Sequence, residues 1–362
     1  GAQMLPKSLA HGSLLAEVVA GKFVDGLALY TLEKTFARDG IDLSRQSMAG
    51  WMIQLHTRLE PLAAAMKALL FEGRVIHIDE TRVQVLDEPG RRAEQQSFMW
   101  VYCGGAPGQA VVWFQYAETR AGQVPRTFLA PDDPSSPGTD PPTRNCYAVT
   151  DGFSAYTTLA SDCRLLGHAA CWAHVRRKFV EAAQGRNNTA AAHQMVALIA
   201  KLYAVERELR EATPEQRHAM RLERSVPILA KIKAWLDEKA PKVLPKSLLG
   251  KAVHYALGLW PVLNTFLEDG HIPIDNNRAE NAIRPFVVGR KRWLFSASPR
   301  GAEASATLYS LVETAKANGL EPRAYLTFLF ERFPEARTPQ AIQALLPHNL
   351  TPDDIALPVA TP

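Results

Sequence analysis

Paired cysteines are missing from this sequence. Its four cysteines, Cys103, Cys146, Cys163 and Cys171, include no C-x-x-C pair, which argues against both a disulfide framework and a cysteine-type zinc site. A reducing cytoplasm is the expected compartment. Long apolar runs are missing too: none approaches the roughly 18 residues needed to cross a bilayer, and the N-terminus lacks the basic-then-apolar order of a signal peptide. No membrane partner is expected. Nor does one sign of charge dominate, since 41 Lys and Arg against 37 Asp and Glu leave a net charge of only +4. The basic residues cluster, however, and that clustering says more about partners than the total does. What is present is ordinary globular material: 362 residues, 47% of them hydrophobic, enough for a real core and two or three domains.

Residues 1–72 predict an N-terminal helical domain. Leu14, Leu15, Val18 and Val19 share one helical face, and Leu27, Leu29, Tyr30, Leu32 and Phe36 share another with some drift. Asp39-Gly40 breaks the pattern, and Ser44 is a good N-cap for a helix carrying Met48, Trp51, Met52 and Leu55. Helix, turn and helix at this spacing fit either a plain helical hairpin or a helix-turn-helix DNA reader.

From Arg74 the pattern changes to strands: Val75–Asp79, Val83–Leu86, Phe98–Tyr102 and Val111–Phe114, rich in β-branched and aromatic residues. A short helix is expected near Pro125 to Leu129. Residues 131–142, with five prolines, are expected to form a mobile loop. Strands follow at Tyr147–Gly152 and Leu165–Ala170. Three strands, a helix and a further strand at this spacing suggest an α/β fold with a ribonuclease H-like mixed sheet, its first part over 73–171. Residues 172–268 read as an all-helical insertion. The second part of the core falls at 269–335 and a C-terminal tail at 336–362, its last dozen residues loose.

Three carboxylates stand out. Asp79 and Asp151 each end an apolar strand, where a ligand can reach them, and Glu280 lies on a helix that starts after Asp275-Asn276. Hard divalent cations take oxygen ligands, and phosphodiester chemistry with two Mg²⁺ ions, or Mn²⁺ in their place, needs such a set. Each acid also has a plain reading: Asp151-Gly152 as a turn, Asp79-Glu80 as a solvated strand end, and Glu280 as an i,i+4 partner of Arg284. Beyond Glu280, Arg290, Lys291 and Arg292 form a dense cationic patch beside Trp293, suited to phosphates and, through the ring, to an unpaired base or to core packing. His174, Arg176, Arg177 and Lys178 open another helix and fit DNA phosphates or simply a solvated basic face. Asn277 and Arg278 could orient Glu280 or hold a scissile phosphate. Cys171 and His174 alone offer a metal only two ligands.

Four ordered words carry a family resemblance: His77-Ile78-Asp79-Glu80-Thr81, Asp151-Gly152-Phe153-Ser154-Ala155-Tyr156, Cys171-Trp172-Ala173-His174 through Phe179, and Asp275-Asn276-Asn277-Arg278-Ala279-Glu280. With Gly289-Arg290-Lys291, Leu308-Tyr309-Ser310-Leu311, Thr314–Gly319 and Leu345–Asn349 they resemble the DDE transposases of the insertion-sequence-sixty-six family over roughly residues 5–350. The resemblance implies a ribonuclease H-like catalytic domain with Asp79, Asp151 and Glu280 as its metal-binding triad. It also implies cleavage and strand transfer at the ends of a bacterial mobile element. Double-stranded DNA, further copies of the chain and small companion proteins of the same element are the implied partners, in a bacterial, nucleoid-associated setting. A structure-specific nuclease of the same fold and a non-catalytic DNA-binding relative are the rival functions. Family members usually carry an N-terminal extension with a coiled coil and a cysteine-rich zinc module; neither occurs in these 362 residues, so either the chain is truncated or this member is short.

Overall fold

The computed structural model describes residues 2–129, 144–153, 156, 158–185 and 189–356; the proline-rich stretch 131–142 lies outside them. The chain forms two compact units, one of Gly1–Val124 with Arg278–Pro362 and the other of Pro125–Asn277. In chain order the helices and strands are α1 (Gly12–Phe23), α2 (Leu29–Arg38), α3 (Arg45–Arg58), α4 (Glu60–Leu70), β1 (Val75–Val85), β2 (Gln96–Gly104), β3 (Val111–Ala117) and α5 (Gln123–Leu129). Then come β4 (Arg144–Thr150), α6 (Leu159–Asp162), β5 (Leu165–Ala170), α7 (Trp172–Ala183), α8 (Thr189–Glu208), α9 (Pro214–Lys239), α10 (Leu248–Gly258) and α11 (Trp260–Leu263). The last are α12 (Asn277–Trp293), β6 (Phe295–Ser296), α13 (Pro299–Ala317), α14 (Pro322–Arg332) and α15 (Pro339–Gln343). The fold is α/β.

In the first unit β1, β2 and β3 form an antiparallel meander, and the short β6 joins β1 in parallel, so the sheet is mixed. The expected break between Asp79 and Val83 does not occur. No glycine or proline interrupts the run, and β2 pairs straight through it from His77↔Cys103 to Gln84↔Gln96. Asp79 therefore sits within a strand, at the point where complete burial of residues 75–78 gives way to partial exposure.

An unpaired strand edge is a liability that folded proteins cover. Here α13 covers the outer edge of β3. Ser310, Thr314 and Asn318 fall four residues apart, on one stripe of the helix. Ser310 Oγ accepts the Phe114 N–H at 2.7 Å. Thr314 Oγ1 accepts the Val112 N–H and donates to the Val112 carbonyl, both at 3.0 Å. Asn318 Nδ2 donates to the Ala110 carbonyl at 2.8 Å. Residues 304–315 of α13 are all buried as a result.

The four N-terminal helices belong to this unit: α1 packs on α14, and α3 on α13. Ser44 caps α3 as expected, its side chain accepting from Ser47 N. The shared apolar face expected for α2 is not a core face. Leu32 is its one buried residue, and Tyr30 is 56% exposed. The C-terminal segment is not loose up to residue 356: Leu345, Leu346 and Ile355 are buried, and Tyr325 donates its hydroxyl proton to the Leu345 carbonyl. Residues 357–362 lie outside the described ones.

In the second unit β4 and β5 run parallel, with Thr150 opposite Ala170. Among the described residues the span after β5 holds helices and no strand, with α7 packed on α8 and α10, and α8 on α9. Its polar centre was not apparent from pattern alone. Arg221, 1% exposed, pairs with Glu206 at 2.6 Å and donates to the carbonyls of Phe266 and Ile272. Such pairing offsets the desolvation of a buried guanidinium.

Candidate active site

Asp79 and Glu280 belong to the first unit, where a strand and a helix hold them. Side chains of a strand alternate between faces, so His77, Asp79 and Thr81 of β1 share one. Thr81 Oγ1 accepts a hydrogen bond from Arg290 of α12 at 3.1 Å. That face therefore looks onto α12. At its other end α12 is tied to the same ladder, because Arg278 Nη2 donates to the Gly104 carbonyl at 2.9 Å and Gly104 follows Cys103, the partner of His77. Beyond its C-terminus, Phe295 and Ser296 pair with Gln84 and Val85 of β1. Three attachments thus lay α12 along β1, and Glu280, two residues after Arg278, rides on the helix that Asp79 faces. Both acids are half-buried. Asp79 Oδ1 accepts from Glu80 N at 2.9 Å.

The charges of Asp79 and Arg278 both reach Cys103, whose thiol burial pushes up to about 12. The i,i+4 ion pair between Glu280 and Arg284 does not form: Arg284 is exposed and, among the described residues, has no carboxylate partner.

Beside Asp79 lies a polar hollow of about 320 Å³ lined by Glu80, Thr81, Arg82, Phe98, Arg120 and Arg290. It gathers three guanidinium groups and one carboxylate. Glu80 orients Arg120 through contacts of 2.5 Å to both Nε and Nη2. Burial first, and the charge of Arg82 second, lower the pKa of Arg290, so this cation is short of counter-charge. Such a cluster favours an anion. Arg82 and Arg120 were not singled out by the sequence reading. Alternation puts Arg82 on the strand face opposite Thr81 and Arg120 comes from a loop, so only tertiary packing brings either of them to Arg290.

Lys291 is exposed, and Arg292, also exposed, donates to the Asp25 carbonyl at 2.9 Å. Gly289 is needed where α12 crosses α13. A Cβ there would lie 2.9 Å from the Tyr309 hydroxyl and 3.0 Å from Trp293 Nε1.

Asp151 belongs to the second unit and directly follows β4 as expected. The Thr150↔Ala170 register places Asp151 and Cys171 at the carboxyl ends of neighbouring parallel strands, the end where open α/β sheets take ligands. Asp151 Oδ1 accepts from Phe153 N at 2.9 Å. Tyr255 of α10 closes over Gly152, where a Cβ would lie 2.5 Å from its hydroxyl. Burial, then the charge of Asp151, raise that hydroxyl's pKa to about 12. Lys178 of α7 stands 4.5 Å from the Tyr255 ring centroid. Arg176 and Arg177 are exposed and His174 half-buried on the same helix.

Asp275 has a structural use, accepting from Tyr203 Oη at 3.1 Å and from Asn277 Nδ2 at 2.9 Å. Cys171 does too: its sulfur accepts the Asn276 N–H at 3.2 Å, while Trp172 N donates to the Ile274 carbonyl at 3.1 Å. The strap leading into α12 is thus stitched to the start of α7. Residues 7–304 match the family described as "Transposase IS66 family", and residues 310–348 match "IS66 C-terminal element".

The chain belongs to the IS66 transposase family. It is similar to two proteins of Sinorhizobium fredii (strain NBRC 101917 / NGR234), the uncharacterized proteins y4qI and y4jD, at 32% and 31% identity over 98% of this chain. A third, y4hP of the same strain, is 26% identical over 90% of the chain. The chain spans 65%, 69% and 60% of those relatives' lengths respectively. In this IS66 family member, no described helix is long and apolar enough to cross a membrane.

Proposed function

We propose that this protein is a metal-dependent DNA transposase with a ribonuclease H-like catalytic core. It cleaves a phosphodiester at the end of a mobile element and joins the freed 3′-hydroxyl to a second duplex. The observation that carries this reading is the attachment of α12 along β1, which turns the face bearing Asp79 toward the helix bearing Glu280, together with the three-arginine hollow around Thr81, two residues beyond Asp79. Asp151 is assigned the third place because the ordered sequence words supply it; within the second unit it directly follows β4.

The donor set suits a hard divalent cation. All three ligands are carboxylates, and all are half-buried, so protein oxygens and retained water can share the coordination shell. When bound, Mg²⁺ or Mn²⁺ supplies charge neutralisation at the reacting phosphate. Asp79, Asp151 and Glu280 would hold the cation. Arg82, Arg120 and Arg290 receive a DNA phosphate, with Glu80 keeping Arg120 in place. Arg176, Arg177 and Lys178 take further backbone phosphates from the second unit, and Asn277, Arg278, Arg284, Lys291 and Arg292 extend the basic surface along α12. Element-end and target duplexes, further copies of the chain on DNA and companion proteins of the element are the proposed partners.

The test incubates the protein with labelled duplex carrying the element's terminal sequence, a second duplex and Mg²⁺, and sequences the products. Joined strands are expected from the wild type, whereas Asp79→Asn, Asp151→Asn and Glu280→Gln bind DNA without cutting it. Hydrolysis without joining would reassign the protein as a nuclease, and binding without either would make it a DNA-binding protein. If two of the amide variants still cut, the carboxylate assignment falls.

A further inference from the structure

The first unit holds another concavity, of about 500 Å³, walled by the end of α1, by α2 and α3, and by the segment from Trp293 to Ser305. Ala49, Met52 and Ile53 make one side apolar, Tyr30 and Trp293 add aromatic surface, and Lys22 and Arg45 supply two cations. No carboxylate lines it. Each cation is matched to a ring: Lys22 Nζ lies 4.9 Å from the Trp293 centroid, and the Arg45 guanidinium carbon 5.8 Å from that of Tyr30.

The walls are braced. Trp293 packs edge-on against Phe286 at 5.4 Å and 77°, so its ring is held from behind. The next residue, Leu294, adopts φ +67° while 62% exposed. A left-handed conformation is unfavourable for a residue that bears a side chain. Its effect is to turn Phe295, 43% exposed, onto the rim of the cavity and into pairing with Gln84.

An occupant must satisfy both halves of this chemistry. A purely apolar side chain would fill the walls and leave Lys22 further desolvated with no counter-charge, which is costly. Among the described residues no carboxylate pairs with Lys22, and burial already lowers its pKa to about 8. A nucleotide offers a flat aromatic base for the rings and a phosphate for the cations. The volume falls within the range of about 300–1,000 Å³ typical of small-ligand sites.

We propose that this cavity receives one unpaired nucleobase of the DNA substrate, stacked on Trp293 with its phosphate between Lys22 and Arg45. The inference rests on the DNA-processing reading above and adds to it a site that takes a base out of the duplex.

The experiment compares affinity, by anisotropy, for a short duplex bearing a single 2-aminopurine bulge and for the same duplex fully paired. Bulge fluorescence reports stacking. The wild type should prefer the bulged duplex by about 5-fold to 150-fold, the range of base–aromatic stacking, with quenched fluorescence. Ala49→Phe fills the cavity and should bring the ratio near one while binding to the paired duplex is kept. Lys22→Met should reduce the ratio, and it serves as the decisive variant should Ala49→Phe lose its native circular dichroism. Equal affinities in the wild type would overturn the base pocket and leave the transposase reading standing; no DNA binding at all would overturn both. Concentration-dependent dimerisation that Ala49→Phe abolishes, with the bulge preference unchanged, would assign the cavity to self-association instead.

Discussion

Replacing Thr314 by valine keeps the shape of the side chain and removes only its hydroxyl. In the native structure that hydroxyl accepts the Val112 N–H and donates to the Val112 carbonyl, both at 3.0 Å. Thr314 is 2% exposed and Val112 5%, so water cannot take over either role without local opening. A buried backbone group left without its partner costs about 1–3 kcal/mol, which makes about 2–6 kcal/mol for the two. The added methyl recovers roughly 0.8 kcal/mol, leaving a net loss of about 1–5 kcal/mol. That is a large share of the roughly 5–15 kcal/mol that holds a typical protein folded. Urea unfolding reads the total, and hydrogen exchange at the Val112 amide reads the site. A loss below about 0.5 kcal/mol, or an unchanged Val112 exchange rate, would refute the idea that α13 completes the edge of β3. Ser310→Ala, which frees one backbone group, Phe114 N, should cost about half as much.

Burial lowers the pKa of Lys22 from its ordinary 10.5 to about 8, so between these limits the unfolded chain binds more protons and stability is expected to rise with pH. Urea midpoints at pH 7.5 and 10 should show this gain in the wild type, and it should be smaller in Lys22→Met. Gly289→Ala should destabilise by about 1–3 kcal/mol, read as a fall in unfolding midpoint, because its Cβ has only 2.9 Å to the Tyr309 hydroxyl. Arg82→Ala and Arg290→Ala should each reduce the magnitude of the log–log salt slope of DNA binding by about one. An unchanged slope would remove that arginine from the phosphate site.

Much of the chemistry was legible in one dimension because it depends on local pattern. Ser44 announces the start of α3 through its hydroxyl, and runs of β-branched and aromatic residues announce β1, β2 and β3. Asp151 sits where an apolar strand stops. Where pattern misled, a longer-range partner had overruled it. Asp79 appeared to end a strand, but β2 pairs past it as far as Gln84. The apolar face of α2 looked like core, yet Tyr30 lies on the wall of a cavity.

The sequence by itself determined which residue types were available: three acids in separate words, basic clusters after two of them, and a helical span between strand and final acid. Periodicity and capping act over a few residues, so they can be read without the fold. Tertiary structure alone decided which strand face Asp79 occupies relative to α12, which arginines join Arg290, and that serine, threonine and asparagine on α13 seal the edge of β3. Those outcomes depend on residues about 200 positions apart, as Thr81 and Arg290 (209) or Val112 and Thr314 (202) are, and no local pattern spans such separations.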